Sequence, residues 1–220
     1  LDHDLYKLLK DWAGFPVRQE ILPWQGLLAG VVSGQFDVAL SAATISDQRA
    51  QQLYFMMPIA EATHYYMKRK GDSRIQSVKD LSGLTVGMQQ GSSIHQRLPE
   101  IEALLQKTGG KLGKVSLYAS FPEAYQDLAN GRIDYVLNSV VAIADVIRKR
   151  PNDFELGQAV VPIGYRGDAL GRRPGARGRG AFAHRAGGRV GVAAGPARPE
   201  QRSAPRALPS GAAAHRHDRR

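Results

Sequence analysis

Residues 36–59 read FDVALSAATISDQRAQQLYFMMPI. Phe36 to Leu40 is a short apolar run of the kind that a parallel sheet buries, and it passes into a polar turn from Ser41 to Arg49. Just upstream, Trp24 to Ser33 places Leu27, Leu28, Val31 and Val32 on one helical face, and Gly34 ends that helix. Before it, Val17 to Leu22 alternates like a strand. Strand, crossover helix and strand in this order make a unit of the parallel-sheet type. The opening stretch from Asp4 to Trp12 adds a helix with Leu5, Leu8, Leu9 and Trp12 at helical spacing, stopped by Gly14 and Pro16.

The same rhythm continues downstream. Strands are expected at His64–Met67, Leu84–Met88, Val115–Tyr118 and Ile133–Leu137. Between them come a turn at Gly71-Asp72, a short helix from Ser77 to Leu81, and a helix opened by Gln90-Gly91-Ser92-Ser93 and running through Leu105. A helix from Pro122 to Ala129 closes at Asn130-Gly131, and another from Val140 to Arg150 stops at Pro151. No heptad or solenoid repeat interrupts the pattern. A doubly wound α/β architecture is predicted.

Composition divides the chain at about residue 163. The 220 residues carry 30 Lys+Arg against 20 Asp+Glu, a net charge of +10. That sum alone would suggest a binder of polyanions. Residues 1–163, however, hold 17 basic and 17 acidic side chains, whereas 164–220 hold 13 Arg, no Lys and three acids. Of those last 57 residues, 42 are Gly, Ala, Arg or Pro. Such a segment buries too little apolar area to offset its chain entropy, so 164–220 is expected to be a disordered low-complexity tail. The codons of these four residues begin with G and C alone, so an out-of-frame reading of a GC-rich gene would also give this composition, and it is preferred to a functional basic tail. The chain opens at Leu1, without Met or leader and inside a helical pattern, so a fragment or processed product is expected. The absence of cysteine excludes disulfides, thiolate metal sites and thiol nucleophiles. No apolar run reaches the ~18 residues of a membrane-spanning helix.

Three places stand beyond the carboxyl ends of expected strands, where open α/β sheets bind ligands. The loop Ser41-Ala42-Ala43-Thr44-Ile45-Ser46-Asp47-Gln48-Arg49 offers hydroxyls, amides and a guanidinium fork suited to a carboxylate. Gln89-Gln90-Gly91-Ser92-Ser93 opens a helix whose N-terminal amides favour an anion, but it lacks the Lys-Ser/Thr ending of a nucleotide loop. Asn138-Ser139 follows the fourth strand. On the residues alone, ordinary helix caps and turns explain each of these as well as a binding site does. Trp24 and Tyr66 could wall a ligand or simply fill a core. The six histidines show no ligand spacing outside the tail, no Gly-x-Ser-x-Gly elbow occurs, and Glu100 and Glu102 fall on different helix faces. No catalytic residue, cofactor or metal is expected.

In combination, these stretches resemble the bacterial periplasmic solute-binding proteins of family three, the polar amino-acid receptors of ABC importers. The resemblance rests on residues 36–59, on VKDLSGLTVGMQQGSS (78–93) and on YASFPEAYQDLANGRIDYVLNS (118–139), and it covers residues 1 to about 160. The opening LDHDL is similar to the end of the family's Gly-aromatic-Asp-x-Asp signature. The resemblance implies a two-lobed type II fold that closes on one small ligand, with lobe one incomplete. Lobe one would span 1–61, lobe two 62–158, and a hinge return 159–163. Arg49 would clamp the ligand's α-carboxylate, helped by Thr44 and the amides of Ser92 and Ser93. Ser41 and the Ala42 carbonyl would face its ammonium group, Trp24 would form the side-chain wall, and Gln89 would tune selectivity. Where the family commonly has an acid for the ammonium, this chain has Ser139 after Asn138.

The function implied is capture of an amino acid or related small carboxylate by a monomeric, extracytoplasmic protein. It would deliver that solute to an ABC permease of the inner membrane. Two alternatives use the same fold: a periplasmic dehydratase-like enzyme, for which Glu61 is the candidate acid, and the sensing domain of a membrane receptor. A nucleic-acid-binding role for the tail is disfavoured, because its Arg residues come without Lys or interleaved aromatics.

Overall fold

The computed structural model describes residues 2–161 together with the backbone of 165–172 and 188–193. In chain order the elements are α1 (Asp2–Trp12), β1 (Val17–Leu22), α2 (Trp24–Ser33), β2 (Val38–Thr44), α3 (Asp47–Ala50), β3 (Leu53–Phe55), β4 (Ala60–Glu61) and β5 (His64–Arg69). A 3-10 turn at Val78–Leu81 precedes β6 (Val86–Gln89), α4 (Ser93–Gln96), α5 (Leu98–Gln106), β7 (Val115–Tyr118), α6 (Phe121–Ala129) and β8 (Tyr135–Ser139). The last elements are α7 (Val140–Lys149), β9 (Phe154–Val161), β10 (Tyr165–Arg172) and β11 (Gly188–Ala193).

These strands form two sheets, one in each lobe. The first has six strands in the order β1-β11-β2-β10-β3, with β4 also paired to β10. The second has five, in the order β7-β6-β8-β5-β9. In the second sheet β6 runs parallel to β7 and β8, and β5 lies antiparallel between β8 and β9. The chain passes from the first sheet to the second through Ala62 and Thr63, both buried, and β10 belongs to the first sheet again.

Each lobe packs helices on its sheet. In lobe one, α2 sets Leu27 and Val31 against Phe36, Ala39 and Leu53, and a smaller cluster joins Val17, Val38 and Leu40 to Tyr6 and Leu9 of α1. Gly34 ends α2 in the left-handed region (φ +81°), where a residue without Cβ pays no steric penalty. In lobe two, Leu81, Val86, Met88, Ile101, Leu105 and Leu137 share one core, and Met67, Leu128, Val136, Ile143 and Phe154 share a second on the opposite face. Gly157 is required there: a Cβ at that position would lie 1.8 Å from the Tyr66 ring.

The structure departs from the sequence expectations in four places. β2 begins at Val38 and continues through Thr44, so Ser41 to Thr44 belong to a strand rather than a turn. The cause is β10, whose Arg166 and Gly167 pair with Thr44 and Ala43. That pairing also corrects the expectation for the tail, since 165–172 and 188–193 are strands of lobe one rather than disordered chain. Backbone hydrogen bonding to an existing sheet asks little of side-chain composition. The remainder of 164–220 lies outside the described residues. Third, the expected helix from Gln90 to Leu105 is two helices meeting at Arg97, because Pro99 occupies the first turn of α5 and cannot continue α4's hydrogen bonding. Finally, β9 stays paired with β5 as far as Val161, opposite His64, so the second sheet extends past the expected boundary at 158.

Candidate functional site

The carboxyl ends of β2, β6 and β8 point at one cavity of about 490 Å³, a size within the range of small-molecule clefts. Its lining includes Trp24, Ser41, Thr44 and Arg49 from lobe one, and Gln89, Ser92, Ser93, Asn138 and Ser139 from lobe two. Of the ligand-binding residues that the resemblance implied, Ala42 alone is not among the lining. It is buried in β2 with a left-handed backbone (φ +41°), a conformation that a residue with a Cβ rarely adopts. Strain of this kind concentrates where a strand is held for a purpose other than pairing.

Arg49 is placed by α3. The Ser46 hydroxyl accepts the Arg49 backbone N–H (3.3 Å), so the helix cap expected of this loop is real. The side chain, however, turns inward and is buried rather than paired at the surface. Its Nη1 donates to the Thr44 carbonyl (2.8 Å) and its Nη2 to the Gly91 carbonyl of lobe two (3.3 Å). The guanidinium carbon stands 5.4 Å from the centre of the Trp24 ring, a cation–π distance. The Trp24 indole N–H donates to the same Gly91 carbonyl (3.2 Å).

A second bridge joins the lobes through hydroxyls. Ser93 Oγ donates to Thr44 Oγ1 (3.0 Å) and also lies 3.1 Å from His64 Nε2. His64 is 1 % exposed, at the start of β5 directly after the crossing between sheets. Ser92 caps α4 by accepting the His95 N–H (3.3 Å), so a cap and a cavity wall coincide here as well. With only four residues, α4 is too short to develop the dipole expected of a long helix at this point.

The far wall belongs to lobe two. Asn138 Nδ2 donates to the Tyr125 hydroxyl (2.8 Å) and its Oδ1 accepts the Ser139 N–H (2.7 Å), so both ends of the amide brace the wall itself. Gln89 donates to the Ala119 carbonyl (2.9 Å). One face of α6 (Phe121, Pro122, Tyr125, Gln126) and one of α7 (Ala142, Asp145, Val146, Lys149), followed by Arg150, extend the lining. Sequence reasoning missed both faces and His64. Their positions follow the i, i+3, i+4 spacing of any amphipathic helix, which marks a buried side without saying what it faces.

Two candidates fall elsewhere. Tyr66 is core, 1 % exposed against Gly157, and burial pushes its hydroxyl pKa up. Glu61, the acid suggested for an enzyme, sits on β4 and accepts the Thr63 hydroxyl (2.5 Å). It is not among the cavity's described lining residues. Among the described residues, no group of three or more His, Asp or Glu is arranged to hold a metal, and no helix is long and apolar enough to cross a membrane.

Known proteins share this architecture. Residues 1–114 match the family model described as bacterial extracellular solute-binding proteins, family 3. The arginine-binding periplasmic protein of Mannheimia haemolytica is 29% identical over 149 residues, which are 68% of this chain and 57% of that protein. The L-cystine-binding protein TcyJ of Escherichia coli K12 is 33% identical over 127 residues, 57% of this chain and 45% of its own length. The chain thus spans about half the length of these curated relatives. Among solved structures, an ancestral arginine-binding protein bound to arginine superposes with a TM-score of 0.66 at 29% identity, over 80% of this chain and 75% of that one.

Proposed function

The chain belongs to family 3 of the bacterial extracellular solute-binding proteins, and from that premise we propose that it captures an amino acid or related small carboxylate between its lobes for an ABC importer. Arg49 is the anchor in this reading. Its planar fork of donors takes the ligand carboxylate, with Thr44, Ser92 and Ser93 completing the cradle from both lobes. Ser41 and the Ala42 carbonyl face the ligand's other end, Trp24 and Gln89 shape the side-chain space, and Asn138 and Ser139 close the far wall. The protein acts as an extracytoplasmic monomer and presents its closed form to the permease.

The observation that carries the reading is the bridging of both lobes at one cavity by a buried arginine and a pair of hydroxyls. A carboxylate held there gains charge-assisted hydrogen bonds, each worth ~1.5–3 kcal/mol. Calorimetric titration with a panel of amino acids and organic acids is expected to give binding that Arg49→Ala weakens by about 100-fold or more, the loss of two such bonds. Equal affinity in the variant and the parent would overturn the assignment of Arg49. Among the described residues, the enzyme reading's candidate acid Glu61 accepts the Thr63 hydroxyl on β4, and the one lining carboxylate, Asp145, is paired with Lys149 and Arg148.

A further inference from the structure

Among the described lining residues of the cavity, cationic side chains outnumber the single carboxylate. Arg49 lines the cavity from lobe one, and Lys149 and Arg150 line it from the carboxyl end of α7 in lobe two. The residues just before the first turns of α6 and α7, Ser120 and Ser139, are themselves on the wall. The amino ends of both helices therefore add partial positive charge to the same space. Asp145 is the one carboxylate among the described lining residues. It accepts Lys149 Nζ at 2.5 Å and Arg148 Nη2 at 2.6 Å, and these donors hold its pKa below the usual carboxylate range. Its charge is engaged by these two cations of α7.

Alongside Gln126 and Asp145, the faces of α6 and α7 contribute the apolar side chains of Phe121, Pro122, Tyr125, Ala142 and Val146 to the wall. Resting on the solute-binding reading above, we propose that the cavity takes an elongated organic dianion, with one carboxylate at Arg49, an apolar stem along α6 and α7, and a second acidic group at Lys149 and Arg150. Those two side chains set specificity at the second group. Both make ion pairs, Lys149 with Asp145 and Arg150 with Asp153 at 2.6 Å. Even so, Arg148, Lys149 and Arg150 outnumber Asp145 and Asp153 by one. Exposed pairs of this type rearrange at small cost, so the surplus charge can turn to a ligand. The carbonyl end of α7 counters roughly half a charge and leaves the balance positive. A basic amino acid would bring its side-chain cation beside Lys149 and Arg150, whose like charges oppose it, with Asp145 the one carboxylate on the described wall.

The test is calorimetry on the full chain at low ionic strength, with glutarate, adipate and pimelate, the monoanion hexanoate, and arginine and lysine. One dicarboxylate is expected to bind about 10-fold tighter than hexanoate, and the margin is expected to shrink at high salt. The Lys149→Ala/Arg150→Ala double variant is expected to erase the margin over hexanoate, with Lys149→Gln intermediate; both positions are at the carboxyl end of α7, and circular dichroism verifies the fold. A margin that survives in the double variant would overturn the assignment. Tighter, Arg49-dependent binding of arginine or lysine would overturn the dianion and leave the solute-binding reading standing. Absence of binding by every compound would overturn both.

Discussion

The two lobes are built on different plans. All five strands of lobe two come from one continuous stretch, His64 to Val161, and its helices lie within the same stretch. Among the described residues, its two cores hold 20 buried apolar side chains, against eight in the two clusters of lobe one. Lobe one takes two of its six strands from beyond residue 164. One of them, β10, holds β2, β3 and β4 together; the other, β11, fills the place between β1 and β2. A lobe whose sheet closes through local connections can order alone, whereas one that waits for distant segments carries unpaired strand edges until they arrive.

The largest expected break in this symmetry comes from ending the chain after residue 163. Lobe two keeps every strand, while β1 and β2 lose the segment between them and β2 loses its link to β3. Hydrogen exchange is expected to show residues 17–44 exchanging as an unfolded chain, with 64–161 still protected. Protection retained across Val38–Thr44 would mean that lobe one does not depend on β10 and β11.

A paired substitution sharpens the contrast. Leu137 and Leu27 are both 0 % exposed, one in each lobe, and truncation of either to Ala is expected to cost about 2–5 kcal/mol. If the lobes order separately, denaturant-dependent exchange will show Leu137→Ala lowering only the stability of 64–161, and Leu27→Ala only that of lobe one. Equal effects on both lobes from either variant would show a single cooperative unit.

The smallest effect is one of pH and belongs to lobe two alone. Hydrogen bonding from the Arg74 side chain draws the Asp72 carboxyl down to about 2, with the charges of Arg74 and Arg69 assisting. The unfolded value is ~3.9, so this contribution to stability is complete above that pH and is lost as pH falls towards 2. Asp72→Asn is therefore expected to reduce the acid-induced drop in the lobe-two thermal midpoint between about pH 4 and pH 2. An unchanged drop would exclude Asp72 as its source.

The order of elements was legible because buried strands and amphipathic helices leave periodic traces, as in Val17–Leu22, Trp24–Ser33 and Val140–Lys149. The strand-end loops were legible only as candidates, because polar residues after a buried strand serve as helix caps as readily as binding groups, and Ser46 and Ser92 do cap helices. What stayed hidden was set by partners. Nothing local in Ser41 to Thr44 announces that β10 will extend the strand through them, and the Gly- and Arg-rich composition of 165–172 conceals that pairing from the other side. The inward turn of Arg49 is likewise decided by carbonyls at Thr44 and Gly91, the second of them 42 residues away. The charge of +10 summed over the whole chain says little about the cleft, whose described charged residues, Arg49, Asp145, Lys149 and Arg150, all come from the balanced first 163 residues.

The indole of Trp24 has one further consequence, and it is optical. The chain contains two tryptophans, and the other, Trp12, is 80 % exposed on α1. Replacing Trp12 with Phe would leave emission from a single ring, one whose N–H is held by a carbonyl of the opposite lobe and whose face lies near a guanidinium. Parting the lobes removes that carbonyl and admits water to the ring. The wavelength of its light is then an internal gauge of the gap between the lobes, read without any attached label.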